Sequence, residues 1–276
     1  MKIIFITEYM KFRKLQLTIF RNLLQTQRFG VTNNIRGRPK IKDLCNVFKS
    51  IIFKVKSGVS WEDTRCYGNY SVSTVYKYFK QWCSNNMFDE IYRCSLRIYS
   101  KHKRIRWKYQ SIDSTIIKAY RGGEEVGPNS TDRGRNGSKI HTLADKNGIP
   151  LGFIVTGANY HDSRSVPILL RKYRLRRPRY QQHMNLDSAY DTNAIKELLR
   201  HTQFTYHIPR NRRNSRQVVE RMSAEDKVHY KYRITVEHQF SHLKQFKSII
   251  IRYSRKLNHF SNLINIAYSS IICNKI

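Results

Sequence analysis

From Trp107 onward, short apolar segments with strand periodicity alternate with segments of helical periodicity. Strands are predicted over 109–120, 138–145, 150–157, 184–186 and 204–208, and helical patterns follow the last three of them. The strands 138–145 and 150–157 are joined across Asn147-Gly148, a dipeptide that favours a tight hairpin turn. The polar segment 122–136 is predicted as a loop. This order of elements predicts a mixed sheet with helices on its faces.

Three acidic residues stand out because the chain has only 19 Asp and Glu among 276 residues. Asp113 lies inside an apolar strand, Asp187 follows a short strand, and Glu237 belongs to a late helix. Taken singly, each has an ordinary explanation as a turn cap, a backbone hydrogen-bond acceptor or a surface ion pair. Adjacent strand ends with a helix packed beside them would bring the three together. Asp191 is the second choice for the middle position, although it precedes Thr192 as a helix cap would.

Carboxylates gathered in this way predict a divalent cation. Three of them can hold two Mg²⁺ or Mn²⁺ ions for phosphodiester chemistry, and without a cation the clustered charges would repel one another. The two histidines His238 and His242, spaced i and i+4, are a weaker candidate for a zinc site because no cysteine lies near them.

The segment 230–244 reads YKYRITVEHQFSHLK and is predicted as one helix. Its spacing puts Tyr230, Arg233, Glu237 and Lys244 in one stripe, beside an apolar stripe suited to the core. The carboxylate can complete a metal site, while the two cations can meet phosphates. The alternative is an amphipathic helix with a solvated Arg-Glu pair.

The chain carries 52 Lys and Arg, giving a net charge of +33 that is spread along its whole length. Such a charge predicts a polyanionic partner, with nucleic acid as the first candidate. The sequence contains no apolar run long enough to cross a bilayer, and residues 1–7 are too short for a signal peptide. Five widely spaced cysteines argue against a disulfide framework. We therefore expect a soluble, intracellular protein without a membrane partner.

The first hundred residues are predicted to be helical. Residues 1–36 form an extension without an assigned role, 37–100 a small helical domain, 101–106 a basic linker and 107–276 the domain with the sheet. The short helices with exposed Lys77 and Lys80 suit a helix-turn-helix-like DNA-binding module. A plain helical bundle explains the same pattern equally well.

At this point the sequence resembles the DDE transposases of bacterial insertion sequences. Asp113 in SIDSTIIKA and Asp187 in LDSAYD match the first and second acids of that family. The segments 137–145, 157–163 and 208–211 match its boxes between the acids and after the next strand. The best fit is the spacing of the late helix, in which Tyr230, Arg233, Glu237 and Lys244 match the signature around the third acid.

The resemblance implies a ribonuclease-H-like α/β domain whose mixed sheet is flanked by helices, preceded by the small helical domain. It implies that Asp113, Asp187 and Glu237 hold Mg²⁺ or Mn²⁺ and are catalytic. It also implies contacts with DNA, for which the candidate residues are Tyr230, Arg233, Lys244, Lys139, His141, Arg210, Arg212, Lys77 and Lys80.

The implied activity is binding of the ends of an insertion sequence, followed by metal-dependent strand cleavage and transfer into target DNA. The partners would be double-stranded terminal inverted repeats, target DNA and a second copy of the chain in a synaptic dimer. The setting would be the cytoplasm of a prokaryotic host, in association with the nucleoid, with a nuclear or viral setting as the open alternative. Two alternatives stay open, namely a catalytically inactive DNA-binding protein and a nuclease of the same fold that does not join ends.

Overall fold

The computed structural model describes residues 14–26, 29, 43–66, 70–211 and 222–276. The chain divides into two compact units, one formed by residues 1–102 with 243–276 and the other by 103–242. Within the described ranges, no helix combines the length and the hydropathy needed to cross a membrane. The four cysteines with described side chains, Cys45, Cys83, Cys94 and Cys273, are free thiols.

The unit 103–242 is built on a six-stranded sheet. The strands are β1 (Tyr109–Lys118), β2 (Gly127–Asn129), β3 (Arg135–Asp145), β4 (Pro150–Gly157), β5 (Gln182–Asn185) and β6 (Phe204–His207). The sheet order is β2-β3-β1-β5-β6, and β4 pairs with the same edge of β3 as β2 does. Strands β3 and β4 continue the sheet antiparallel from β1, whereas β5 and β6 continue it in parallel. Three antiparallel strands followed by two parallel strands form the ribonuclease-H-like arrangement, so the expected fold class is confirmed.

The hairpin between β3 and β4 forms where the Asn-Gly signal predicts it. Gly148 adopts a φ of 67°, a conformation that a side chain disfavours. Asp145 closes the turn, because its Oδ1 accepts hydrogen bonds from the backbone N–H groups of Asn147 and Ile149, each at 2.9 Å. Its Oδ2 accepts from the Arg106 N–H at 2.9 Å, so this fully buried carboxylate is satisfied by backbone donors. The segment expected to be a loop, 122–136, differs from that prediction, since it contains β2 and the start of β3.

Helices cover the sheet between and after its strands. They are α5 (Ser165–Arg171), α6 (Asn193–His201), α7 (Ala224–Tyr230) and α8 (Ile234–Lys244). The prediction of one continuous helix over 230–244 is wrong. A 3₁₀ turn, Lys231–Arg233, separates α7 from α8 and contacts β1. Tyr230 therefore ends one helix, Arg233 lies in the turn, and Glu237 lies in the first turn of the next helix.

The other unit is helical. It contains residues 14–24 as α1, followed by α2 (Leu44–Ser57), α3 (Val72–Ser84), α4 (Met87–Lys103), α9 (Lys247–Ile250) and α10 (Leu257–Asn274). Its core is aromatic, since the rings of Phe20 and Phe48 stack at 4.3 Å and Trp82 meets Phe20 edge-on at 4.9 Å. The closing helix α10 is buried along most of its length, as its apolar sequence predicts.

The compact units differ from the expected domain boundaries in three respects. Residues 14–24 belong to the extension without an expected role, yet they form a helix whose Phe20 is fully buried. The start of the expected linker, 101–103, continues α4. Residues 243–276 group with the helical unit rather than with the sheet. Apolar periodicity marks a segment as buried but does not say which core receives it, and for this reason the sequence could not assign α10.

Candidate active site

The three acids surround the guanidinium of Arg233. Arg233 Nη2 donates to Asp113 Oδ2 at 2.6 Å, and its Nη1 donates to Glu237 Oε1 at 2.5 Å. Asp187 Oδ2 lies 4.0 Å from Nη2. The Arg233 side chain is 18% exposed, while those of Asp187 and Glu237 are 48% and 52% exposed. One cation thus stands among three carboxylates from different parts of the sequence, and two of them face solvent.

The fold explains how residues so distant in sequence come together. Side chains alternate across a strand, so Ser111 and Asp113 lie on the same face of β1. That face meets the 3₁₀ turn, because Ser111 Oγ donates to the Tyr232 carbonyl at 3.4 Å and Arg233 reaches Asp113. Asp187 follows β5, the parallel neighbour of β1, and its Oδ1 accepts from the Ser188 N–H.

Burial dominates the electrostatics of Asp113. Desolvation raises the pKa of Asp113 to about 6, against the lowering effects of Arg233 and of the Ser114 N–H group. The negative charges of Asp187 and Glu237 raise it further. Burial works against the charge of Arg233 as well, but the surrounding acids, Asp113 first among them, leave the pKa of Arg233 above its ordinary value. The site therefore carries more negative charge than one guanidinium can neutralise.

The chemistry of this donor set fits a divalent cation. All three side chains offer carboxylate oxygens, the ligands that Mg²⁺ and Mn²⁺ prefer, and the exposed oxygens of Asp187 and Glu237 leave room for a ligand. The carboxylates are spaced around Arg233, however. Among the described residues, the one group whose ligand atoms all lie within 4.8 Å of one another consists of histidines, not of these acids. Binding of a cation by all three acids thus requires the guanidinium to move aside.

Lys139 and His141 do not join the acids. In the antiparallel pair of β1 and β3, His141 lies opposite Ser114, and Asp113 lies opposite Thr142. Residues directly opposite each other share a face, so His141 and Lys139 project from the face of the sheet opposite to Asp113. His141 is fully buried, and its Nε2 lies 2.8 Å from Thr156 Oγ1. The structure therefore does not support a phosphate contact for His141.

Asp162 collects the polar groups on that second face. Its carboxylate accepts from Ser114 Oγ at 2.8 Å and from Lys139 Nζ at 3.1 Å, and it lies 3.6 Å from His141 Nδ1. Burial lowers the pKa of His141 to about 4, so this imidazole is neutral near pH 7. The ammonium of Lys139 also donates to the Tyr160 carbonyl at 2.9 Å. The Lys139 side chain is only 12% exposed, so its hydrogen bonds are made to groups within the protein. The expected phosphate contact of Lys139 is therefore not supported either.

Tyr190 is a residue that sequence reasoning missed. It lies in the 3₁₀ turn after Asp187, is fully buried, and its hydroxyl has no hydrogen-bond partner in the described part of the structure. Burial raises the pKa of Tyr190 well above its ordinary value, and the charges of Asp162, Asp113 and Asp187 add to the effect. The Tyr190 hydroxyl thus interacts electrostatically with acids on both faces of the sheet. Its place in the LDSAYD segment is the signal that could have marked it.

The remaining candidates occupy varied positions. Lys77, Lys80 and Arg210 are exposed, Lys244 is an exposed residue at the end of α8, and Arg212 lies outside the described residues. Tyr230 is half-buried, and burial raises the pKa of its phenol. Asp191, the second choice for the middle acid, instead binds Lys196 Nζ at 2.5 Å and accepts from the Asn211 N–H at 2.9 Å. These contacts give Asp191 a structural part.

Together, the strand order and the three carboxylates around one arginine define a class of protein, namely α/β domains of ribonuclease-H-like fold with a cluster of acids at the sheet. Residues 110–273 match the family described as "Transposase DDE domain", and this chain belongs to that family. Residues 16–92 match a second family, described as "Putative transposase of IS4/5 family". Membership of the DDE family implies the use of a divalent metal.

Among curated proteins, the chain is similar to the "Putative transposase for insertion sequence element IS402" of Burkholderia cepacia, with 33% identity over 151 residues. The match covers 51% of this chain and 65% of that protein, so the chain spans less than two thirds of its relative. Among solved structures it resembles the "Mos1 transposase paired-end complex with left transposon end", with 10% identity, 84% of each chain covered and a TM-score of 0.28. A second is the "Crystal structure of the Mos1 mariner paired end complex with Mn", with 12% identity, 83% and 87% covered and a TM-score of 0.27.

Proposed function

We propose that this chain is a DNA transposase that cuts the ends of an insertion sequence and joins them to target DNA. The observation that carries the proposal is the convergence of Asp113, Asp187 and Glu237 on Arg233 in a member of the transposase DDE family. The name of the Burkholderia cepacia relative, a putative transposase for an insertion sequence element, supports the same activity.

The three acids would hold Mg²⁺ or Mn²⁺. When bound, the metal would activate the attacking oxygen and stabilise the leaving oxygen of a phosphodiester. Asp113 would provide the most deeply buried ligand, fixed by its place in β1 and by the Ser114 N–H group. The more exposed Asp187 and Glu237 would approach from the strand end and from α8. The three carboxylates would thus be both the metal ligands and the catalytic residues.

Arg233 would have two positions. Without metal its guanidinium offsets part of the negative charge of the acids, as the hydrogen bonds to Asp113 and Glu237 indicate. With metal and DNA in place it would swing from the carboxylates to a DNA phosphate, for which its planar fork is well suited. Lys244 would also contact phosphate, and Tyr230 would pack against a terminal nucleotide.

DNA binding would draw on basic residues in both units. Lys77 and Lys80 are exposed on α3 of the helical unit, where they would contact the terminal inverted repeats. Arg210 and Arg212 follow β6 and would contact the DNA backbone. The net charge of +33 would add strong affinity without sequence preference. Lys139 and His141, which bind Asp162 and Thr156, would instead support β1 from its other face.

Two ends of one element must be handled together, so the active form would be a homodimer on paired ends. We place it in the cytoplasm of a bacterial host, on nucleoid DNA. The chain would act on double-stranded DNA both at the element's inverted repeats and at the target.

A gel assay tests the proposed activity. The purified chain is incubated with Mg²⁺, an end-labelled duplex carrying the element's terminal repeat, and a supercoiled plasmid. A transposase transfers the label to the plasmid. Nicked products without transfer would indicate a nuclease of the same fold, and a mobility shift alone would indicate a DNA-binding protein without catalysis. Either of these two outcomes would contradict the proposal.

A further inference from the structure

Three histidines form a second cluster, separate from the acids. His183 comes from β5, His207 from the end of β6, and His229 from α7. Each histidine offers one ring nitrogen, and these three nitrogen atoms all lie within 4.8 Å of one another. The register of β5 and β6 pairs His183 with Thr205, which puts His207 two residues further on the same face. Helix α7 then brings His229 against both strands.

Asp226 determines which nitrogen of His207 is available. The Asp226 carboxylate lies 2.8 Å from His207 Nδ1, so it accepts a hydrogen bond and keeps the proton on that atom. With its proton held on Nδ1, the neutral ring of His207 presents a lone pair on Nε2. A carboxylate that orients an imidazole in this way is the usual outer partner of a metal-bound histidine.

The lone pair of His207 Nε2 points at His183. Nε2 lies 2.9 Å from His183 Nδ1, which in the metal-free protein donates its proton to it. Two bonds from Zn²⁺ to imidazole nitrogens, each about 2.05 Å long, span roughly 3.3 Å at a tetrahedral angle. A small opening of this pair would therefore admit a metal ion. His183 would stay neutral by carrying its ring proton on Nε2 instead of Nδ1.

His229 supplies an independent sign of an incomplete site. Its Nδ1 is buried and has no hydrogen-bond partner in the described part of the structure. Its ring lies 4.4 Å from that of His183 and 5.0 Å from that of His207, between centroids. A buried ring nitrogen without a partner is costly unless a ligand satisfies it. An open cleft of about 490 Å³ has His207 and Asp226 in its lining, so this side of the cluster borders a surface cleft.

We propose that His183, His207 and His229 bind one transition-metal dication of the Zn²⁺ type, with Asp226 as the carboxylate that orients His207. Three imidazoles are a ligand set for such an ion and not for Mg²⁺, which prefers oxygen. The site is thus chemically distinct from the three acids. It does not depend on the proposed reaction with DNA.

The position of the site gives it a structural consequence. Helix α7 ends at Tyr230 and leads directly into the turn with Arg233 and then to Glu237 on α8. A metal bound by two strands and α7 would fix the start of this segment against the sheet. The bound ion is therefore a positioning device for the third acid, in the manner of a structural zinc site.

Co²⁺ is the probe for the direct test. The metal-stripped full chain is titrated with Co²⁺ in buffer containing excess Mg²⁺, which occupies carboxylate sites. We expect one Co²⁺ per chain, with visible absorption bands of a tetrahedral nitrogen site, and displacement by Zn²⁺. His183→Asn and His229→Asn should lose the bands, whereas His201→Asn, at an exposed histidine on α6, should keep them. Wild-type protein without bands, or His229→Asn with unchanged bands, would overturn the proposal.

Two further measurements test the proposal even if a variant at a ligand histidine fails to fold. Asp226→Asn keeps all three ligands but loses the orienting carboxylate, so it should bind Co²⁺ about 10- to 100-fold more weakly. The wild-type chain should also melt at a higher temperature with Zn²⁺ than without it, since a ligand specific to the folded state stabilises that state. Unchanged melting of the wild type would contradict the site without any variant. No DNA is present, so failure here leaves the proposed transposase activity untouched.

Discussion

Arg233 donates a 2.6 Å hydrogen bond to Asp113, a residue 120 positions earlier in the chain, and thereby ties the first acid to the segment that carries the third. The same guanidinium binds Glu237. The positively charged side chain of Arg233 thus occupies the centre of the acid cluster. A metal that binds these carboxylates has to compete with Arg233.

Arg233→Gln should make the stability of the protein depend on Mg²⁺. Removing the guanidinium leaves the carboxylates without their charged donor, which costs about 1.5–3 kcal/mol in metal-free protein. Because Mg²⁺ no longer competes with the guanidinium, it should raise the melting temperature of the variant more than that of the wild type. Calorimetry with and without Mg²⁺ measures both effects. Arg179→Gln, at an exposed arginine, is the control, and equal Mg²⁺ shifts in all three proteins would contradict this competition.

The carboxyl group of Asp113 should titrate near pH 6 in metal-free protein, because burial raises its pKa. The folded protein then binds more protons than the unfolded chain between the ordinary pKa of 3.8 and about 6, so this group's contribution to stability is lost as pH rises through that window. Arg233 lowers the pKa of Asp113, so Arg233→Gln should raise it further. Carbon NMR of labelled aspartates, assigned with Asp113→Asn, measures both values. A titration near 4 in either protein would be inconsistent with the burial described.

Lys139 should matter for folding rather than for DNA binding. Lys139→Met removes the ammonium from Asp162 and leaves a largely buried carboxylate short of its partner, which costs about 3–5 kcal/mol. The matched control is Lys118→Met, because Lys118 pairs with Asp132 at 3.6 Å with 47% of its side chain exposed, and such a pair contributes about 0–1 kcal/mol. Urea unfolding gives the two values. The opposite result would be a similar small loss of stability in both variants, with a large loss of DNA affinity only in Lys139→Met. It would support a phosphate contact for Lys139 after all.

The sequence predicts the sheet and the three acids better than it predicts the face of the sheet from which a side chain projects. Asp113 in an apolar strand and the Asn147-Gly148 turn are local signals, and the structure follows both. The face of Lys139 and His141 depends on the register between β1 and β3, which no local pattern determines. The break between α7 and α8 could not be predicted from the sequence either, since the 3₁₀ turn hardly changes the helical spacing of Arg233 and Glu237.

The histidine cluster shows the same limit at longer range. His238 and His242 have the spacing of a helical metal pair, and both are exposed on α8. The histidines that do meet lie on two strands and a helix, and successive members are 24 and 22 positions apart, so only the folded sheet brings them together. A short-range motif search therefore finds the pair on α8 and misses the three histidines that meet in the folded protein.

Lys77 and Lys80 should contribute to DNA binding through charge alone. The double variant Lys77→Gln/Lys80→Gln should bind more weakly, and the log-log dependence of affinity on salt should become shallower by about 0.9 for each phosphate that the variant no longer neutralises. Lys101→Gln, at an exposed lysine on α4, is the control. Fluorescence anisotropy over a salt series measures the slopes. Slopes identical to wild type in the double variant would remove α3 from the DNA interface.

The central claim is that Asp113, Asp187 and Glu237 together hold the metal that cuts DNA. The direct measurement is Mg²⁺-dependent cleavage of a labelled element end by Asp113→Asn, Asp187→Asn and Glu237→Gln, with Glu197→Gln at an exposed acid of α6 as the control. We predict that each of the three variants loses cleavage while still shifting the DNA in a gel, and that the control cleaves like wild type. Wild-type cleavage by any one of the three would remove that residue from the site and contradict the claim.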